Sequence, residues 1–560
     1  MYYRRNAILP AIVAGILCQT NCGVTAEDLP QQTALDHYIN KPDDSYSWKI
    51  VSEQTTDDMK LVVVDMISQT WRTEDDVNRT QWQHWVKFAI PRNVQSDVGF
   101  LMIGGGSNRK GEKPDGPDNV IIQIAKATGT VVAELGMVPN QPLIFHGDGK
   151  NRTEDDLIGY TWDQYIKTGD PTWPARNPMV KSAVRAMDTI TALMASDVGG
   201  NKTVSTFVVA GGSKRGWTTW LTGLDDRVAA IIPIVIDVVN IEPSMRHHFA
   251  AYGFWAPSVG NYVQHKIMER FDHPRLIELY RLVDPYYYRH RLSKPKFMVN
   301  GSGDQFFLPD SSQFYFDDLV DEKYLRYVPN ADHGLGDSDA IESITAFYSL
   351  IVAGRDRPKF SWTEEADGSI RVTTQNAPAE VLLWQATNPE ARDFRIETLG
   401  PKYTSSVLKD QGNGVYVANV KEPERGWTAY YVELKYDIGS MALKLSTGVR
   451  VVPDVLPYKD KQPNLPARIT LFCDAPDENS AAVIVAAGKV LAKNKLPVTE
   501  FRGTHVGKRC YFNWKPVTDS TKSDGRLAAK SLAEWLTTQK CDGFQLQLES
   551  GPGITGLNPQ

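Results

Sequence analysis

The chain lacks any lysine- and arginine-rich block interleaved with aromatic residues, and its formal net charge is -6. That balance leaves no electrostatic footprint for nucleic acid. Beyond the N-terminus there is no apolar stretch of the length, about 20 residues, that a bilayer span requires. Cysteine is scarce, five in 560 residues, and neither cysteine nor histidine falls into a tight metal-ligand spacing. No internal repeat stands out, which argues against a repeat array. What is present is a 42% apolar chain, longer than one ordinary domain.

Arg4 and Arg5 precede the apolar run Ala7–Leu17, and Val24–Thr25–Ala26 offers a small-residue cleavage site before Glu27. This layout predicts a secretory signal peptide over residues 1–26 and a secreted or periplasmic protein. The run is short for a membrane anchor. Gly15–Ile16–Leu17 is also a poor approach to a lipidated Cys18. Cleavage would leave Cys473, Cys510 and Cys541, from which export would permit one disulfide and leave one thiol over.

The most informative stretch is Val208–Gly216, VVAGGSKRG. A β-rich run, Thr203–Ala210, meets Gly211 and Gly212, places Ser213, and passes into a helical pattern from Lys214. Strand, sharp turn, serine, helix is the order in which an α/β-hydrolase exposes a nucleophilic hydroxyl. The usual G-x-S-x-G spacing is broken, because Arg215 occupies the second small position and glycine comes one residue later, at Gly216. Arg215 must point away, or the turn must open.

The surrounding pattern agrees with that reading. Four β-like runs before residue 104 suit an antiparallel opening. The fourth ends in Gly104–Gly105–Gly106, either a flexible turn or a loop presenting backbone amides to a ligand. A helix is expected over Asn177–Ala195, capped by Asn177, and Tyr160–Pro174 reads as an aromatic loop. After the strand Val228–Ile236 the alternation stops, and residues 240–291 read as a helical cap insertion. The core resumes with a strand ending in Gly301–Ser302–Gly303–Asp304. A further strand leads to Ala331–Asp332–His333, and a closing helix begins near Asp339 as its cap. The α/β-hydrolase domain is thus read over 27–357. A β-sandwich-like region follows over 358–460, and a small α+β region over 461–560.

Ser213, Asp304 and His333 occur in the Ser–Asp–His order of this fold. A serine alcohol needs a base to remove its proton during attack, and the base needs an acceptor that sets its tautomer. His333 and Asp304 take those roles. Asp332 and Asp237 are the substitute acids. The Lys214 amide follows the nucleophile and reads as one oxyanion donor, with Gly105 and Gly106 supplying a second. The Lys214 and Arg215 side chains either contact an anionic substrate or form salt bridges behind the turn. Acyl transfer of this kind requires no metal and no organic cofactor.

Trp71–Glu74 (WRTE), Gly104–Gly106 (GGG), Gly211–Leu221 (GGSKRGWTTWL), Gly301–Phe307 (GSGDQFF) and Asn330–Leu335 (NADHGL) together resemble the PhoPQ-activated pathogenicity-related protein family of the α/β-hydrolase superfamily. The resemblance implies Ser213, Asp304 and His333 as the triad and leaves the substrate open. The expected function is a secreted serine hydrolase transferring an acyl group to water. A peptidase is the first subclass, and a carboxylesterase acting on an acylated carbohydrate or other surface molecule is the alternative. A noncatalytic binding or signalling protein on the same scaffold is the reading from a different class. The expected partners are a peptide or ester substrate, and the sequence does not define an oligomeric state.

Overall fold

The computed structural model describes residues 32–109, 111, 113–460, 469–476, 480–493, 498–506, 508–516 and 522–548. The expected signal peptide, 1–26, lies outside the described residues. Among them, no helix is long and apolar enough to cross a membrane.

Nine strands build the central layer: β1 Ser47–Thr55, β2 Met59–Thr70, β3 Gln81–Pro91, β4 Val98–Ile103, β5 Val132–Leu135, β6 Thr206–Gly212, β7 Val228–Ile234, β8 Lys296–Gly301 and β9 Lys323–Val328. Their spatial order is β1-β2-β3-β5-β4-β6-β7-β8-β9. Pairing is antiparallel from β1 through β3 to β5, then parallel from β5 to β9. The parallel half carries near-continuous apolar runs, such as Phe207–Ala210, because its strands are buried on both faces. This is an α/β-hydrolase sheet, and it points the C-terminal ends of β6, β8 and β9 toward one edge.

Helices Asn119–Thr128, Arg176–Met194, Lys214–Thr222 and Ala340–Val352 flank this layer. Two expected caps take other roles. Asn177 lies inside the first turn of its helix, where its amide donates to the Pro171 carbonyl at 2.7 Å. Asp339 stands at the cap position without a capping bond, because Arg326 and Lys444 hold its carboxylate. The expected aromatic loop is mostly helix, Glu154–Thr168. Three acids in its first turn, Glu154, Asp155 and Asp156, suit the positive end of the helix dipole, and Gly169 ends it in the left-handed conformation. Trp162 and Tyr165 are therefore buried on a helix.

Between β7 and β8 every element is helical, including Ile241–Tyr252, Gly260–Gln264 and Pro274–Val283. This helical insertion occupies the place of the expected cap and packs on the helix Glu154–Thr168 through Trp162, Tyr262 and Tyr280.

The β-rich region adds β10 Phe360–Glu364, β11 Ile370–Thr374, β12 Glu380–Asn388, β13 Thr404–Val407, β14 Val415–Ala418, β15 Trp427–Ile438, β16 Met441–Ser446 and β17 Arg450–Val452. It does not stand apart from the hydrolase layer. β16 pairs with β9 at Ser446 and Leu325, so β16, β15, β12 and β13 continue the same sheet, with β17 on β15. β10, β11 and β14 form a second layer, and Ile370, Val372 and Ala418 share a core with Tyr430, Val432 and Leu434. That face-to-face packing is the sandwich-like part.

A last sheet of β18 Ile469–Asp474, β19 Val498–Val506, β20 Arg509–Pro516 and β21 Asp542–Leu548 runs in the order β19-β20-β18-β21. It carries helices Ser480–Lys493 and Lys522–Thr538. Cys473 and Cys510 face each other across β18 and β20, and both, with Cys541, are buried free thiols. The disulfide expected here is not formed. The three thiols lie in the apolar core of this module instead.

Candidate active site

Ser213 sits where β6 turns into the helix Lys214–Thr222, at φ 56° and ψ -121°. A non-glycine residue in that region is strained, as a strand-to-helix turn that exposes a serine would be. The Ser213 amide donates to the Ile234 carbonyl at 2.8 Å, tying the turn to β7.

The displaced glycine has a steric reason. A Cβ at Gly216 would lie 2.8 Å from the Ile234 carbonyl oxygen and 2.9 Å from that of Gly211. A Cβ at Gly211 would lie 2.8 Å from the Arg215 carbonyl oxygen. Helix and strands therefore make their closest approach at Gly211 and Gly216, and position 215 is free to carry a large side chain. Arg215 points away from the turn, with Nη1 and Nη2 on Glu154 at 2.8 and 2.6 Å and Nε on the Val138 carbonyl.

His333 follows β9, and its Nε2 lies 2.8 Å from Ser213 Oγ. Its Nδ1 lies 2.7 Å from Asp304 Oδ2, on the loop after β8. The other oxygen, Oδ1, accepts the Phe306 and Phe307 amides at 2.6 and 3.3 Å, which orients the carboxylate. The Phe306 ring packs 4.2 Å from the imidazole, and the His333 amide donates to Gln305 Oε1 at 2.9 Å. The two substitute acids stand elsewhere. Asp332 Oδ1 accepts the Gly334 amide and shapes the turn. Asp237 accepts the hydroxyls of Tyr315 and Tyr327, each at 2.6 Å. Burial pushes the Asp237 carboxyl up to about 7, against the pull of those two hydroxyls.

A narrow pocket opens at Ser213, walled by Trp162, Trp217, Ile236, Val238, Met245 and Phe307 among others. Lys214 lines it too, whereas Gly105 and Gly106 line a different hollow with Trp85 and Glu134. Gly105 backs onto the Arg215 guanidinium, because a Cβ there would lie 2.8 Å from one of its nitrogens.

The Lys214 and Arg215 side chains form salt bridges, the second of their two expected roles, and the sequence did not point to their partners. Lys214 Nζ bonds Asp155 at 2.8 Å and lies 3.2 Å from Glu154. Tyr262, from the cap, donates to Asp155 at 3.0 Å. Burial raises the Glu154 carboxyl, but Arg215 and Lys214 outweigh it and draw the group down to about 2. Arg176 also lines the pocket, stacked on Trp217 at 4.3 Å and donating to the Lys214 carbonyl at 2.9 Å. The acidic triplet at residues 154–156 was the available signal, but its sequence signature is that of any helix start. Among the described residues, no group of three or more His, Cys, Asp or Glu side chains is arranged to hold a metal ion.

Residues 35–395 match the sequence model for the PhoPQ-activated pathogenicity-related protein. The chain belongs to that family. A relative of this family member is autocrine proliferation repressor protein A of Dictyostelium discoideum, 37% identical over 456 residues, which are 76% of this chain and 92% of that one. Among solved structures, an acetyl xylan esterase from a Thermoanaerobacterium species aligns with TM-score 0.39 and 13% identity, over 57% of this chain and 93% of its own. Another, from a Paenibacillus species, aligns with TM-score 0.37 and 15% identity, over 53% and 86%.

Proposed function

We propose that this family member is an exported serine hydrolase that transfers an acyl group from an ester to water, with Ser213, His333 and Asp304 as its triad. The observation that carries the reading is the continuous hydrogen-bond chain from Ser213 Oγ through His333 to Asp304, at 2.8 and 2.7 Å. As Oγ attacks the acyl carbon, His333 Nε2 takes its proton, and Asp304 stabilises the imidazolium. The tetrahedral oxyanion is held by the Lys214 amide, which opens the helix after the nucleophile, and by a second donor from the Gly105–Gly106 turn. His333 then gives its proton to the departing oxygen, leaving an acyl-enzyme. Water enters by the same path, its proton going to His333, and the acid is released as Ser213 regains its proton.

An ester is favoured over a peptide end by the charge at the pocket. An aminopeptidase needs a carboxylate free to meet the substrate ammonium. Asp155, the one carboxylate among the pocket's described lining residues, is already held by Lys214 and Tyr262. The signal-like N-terminus supports export to an extracellular or periplasmic space.

The name of the Dictyostelium relative, a repressor of proliferation, favours a second reading, in which the same scaffold acts as a signal without turnover. A fluorophosphonate probe with peptide mapping separates the two. Labelling at Ser213, absent in Ser213→Ala and strongly reduced in His333→Ala, together with turnover on a panel of esters, is the expected result. No labelling and no turnover on esters or peptides would give the ground to the signalling reading.

A further inference from the structure

The pocket at Ser213 contains a buried cation, Arg176, that no carboxylate among the described residues contacts directly. Three cations, Arg176, Lys214 and Arg215, meet two carboxylates, Glu154 and Asp155. Glu154 is taken by both Arg215 nitrogens and approached by Lys214. Asp155 is taken by Lys214 and Tyr262. Arg176 is 1% exposed, and among the described residues it forms no ion pair. Its guanidinium bonds the Lys214 carbonyl, meets the Tyr262 hydroxyl, feels the Asp155 charge at longer range and stacks on Trp217, while its Nε has no hydrogen-bond partner among the described residues. A buried guanidinium without an anion is costly, and proteins keep such groups where a ligand completes them.

Two further wall residues are incomplete in the same way. Trp162 and Tyr280 are each 2% exposed, both line this pocket, and neither Trp162 Nε1 nor the Tyr280 hydroxyl has a hydrogen-bond partner. Each is a donor, as is Arg176 Nε. Around them the wall is apolar: Ile236, Val238, Ile241, Met245, Val259 and Ile267. A neutral fatty acyl chain would match these aliphatic groups but leave every donor unpaired. A wholly polar acid would match the donors but not the aliphatic wall.

We infer that the acyl group delivered to Ser213 is amphiphilic, with a short apolar stem and a terminal carboxylate received on the Arg176 side of the pocket. The substrate class is then the half-ester of a dicarboxylic acid, in which one carboxyl is esterified to the leaving alcohol and the other remains free. Arg176 is a specificity-determining residue in this account, because a planar guanidinium presents paired donors to a carboxylate. The inference rests on the proposed hydrolase reading only for the word substrate. The anion site itself stands on the absence of a direct ion pair at Arg176 and on the unpartnered donors beside it.

The test compares kcat/KM for the p-nitrophenyl half-ester of glutaric acid with that for p-nitrophenyl pentanoate, which has the same stem and no carboxylate. The wild-type protein is expected to favour the half-ester by about tenfold or more. Arg176→Met is expected to lower half-ester turnover about tenfold more than pentanoate turnover, and Arg176→Lys to recover part of the preference. Wild-type preference for pentanoate, or an equal loss on both esters in Arg176→Met, would overturn the inference. Calorimetric titration of Ser213→Ala with free glutarate gives an arm independent of turnover. Saturable binding that Arg176→Met abolishes supports the anion site even if no ester is cleaved, in which case the hydrolase reading alone fails. Ester turnover with no glutarate binding and no anionic preference leaves the hydrolase reading intact and removes this one.

Discussion

Tyr511, on β20 of the last sheet, donates its hydroxyl to Asp332 Oδ2 at 2.9 Å, one residue before His333. The same hydroxyl lies 3.4 Å from Gln305 Nε2, and the Oε1 of that side chain receives the His333 amide. Tyr511 is 1% exposed and shares a small apolar cluster with Ile396 and Phe472. Ile396 in turn bonds the Gly303 carbonyl through its amide, next to Asp304. The C-terminal module thus braces both loops that carry the partners of Ser213.

That brace predicts a positioning effect. Tyr511→Phe removes the hydroxyl and keeps the packing, so kcat on a reactive ester is expected to fall about threefold to tenfold while KM moves less than about twofold. Steady-state kinetics checks it. A fall in stability with kcat unchanged would mean that the contact only holds the module in place.

The three acids near the site should separate cleanly. Asp304→Asn is expected to cost about 10³- to 10⁴-fold in kcat, because the amide supports the wrong imidazole tautomer. Asp332→Asn and Asp237→Asn should each cost far less. Near-full turnover in Asp304→Asn, or a loss of that size in Asp237→Asn, would reassign the acid.

Substitutions at two glycines on either side of Ser213 should diverge. Gly216→Ala forces a methyl to within 2.8 Å of the Ile234 carbonyl and is expected to destabilise the fold by about 1–3 kcal/mol, with loss of activity. At Gly212 the nearest atom to an added Cβ is a Val235 methyl at 3.9 Å, so Gly212→Ala should leave the melting temperature within about 2 °C. Thermal melts of the two variants give the comparison.

Asp237 makes stability depend on pH in a stated direction. Burial holds its folded carboxyl up to about 7, above the ordinary range near 3.9 for an unfolded chain. The folded state therefore binds more protons between those values, and this contribution to stability declines as pH rises through that window. Asp237→Asn removes the titration. The wild-type advantage in melting temperature over the variant is expected to be larger at pH 5 than at pH 8, as measured by calorimetry. An advantage that grows with pH would reverse the assignment.

The thiols give a chemical check on the C-terminal module. Cys473 and Cys510 are 0% exposed and Cys541 is 4% exposed. In protein produced from Glu27 onward, Ellman's reagent should find almost no reactive thiol in the native state and three after denaturation without reductant. One thiol after denaturation would mean that a disulfide forms on export.

The sequence by itself determined the parts of this protein that depend on local pattern and chain order. The β-run, glycines and serine of Thr203–Lys214 specify the strand, sharp turn and helix around Ser213 because backbone sterics there are local. The proposed acid and base, Asp304 and His333, could be picked out because each follows a strand in the order this sheet requires. The helical insertion was legible because strand alternation stops after β7. Other features were decided by tertiary structure. The role of Gly216 depends on how closely β7 passes the helix, which no local pattern encodes. Pairing of Lys214 and Arg215 with Glu154 and Asp155 joins elements about sixty residues apart. The contact of Tyr511 with Asp332 spans 179 positions, and the β9–β16 edge merges a region that reads as separate into the central sheet. Such contacts are chosen by which surfaces must be buried together once the layers stack, so they are set by the whole chain's packing and not by the residues on either side.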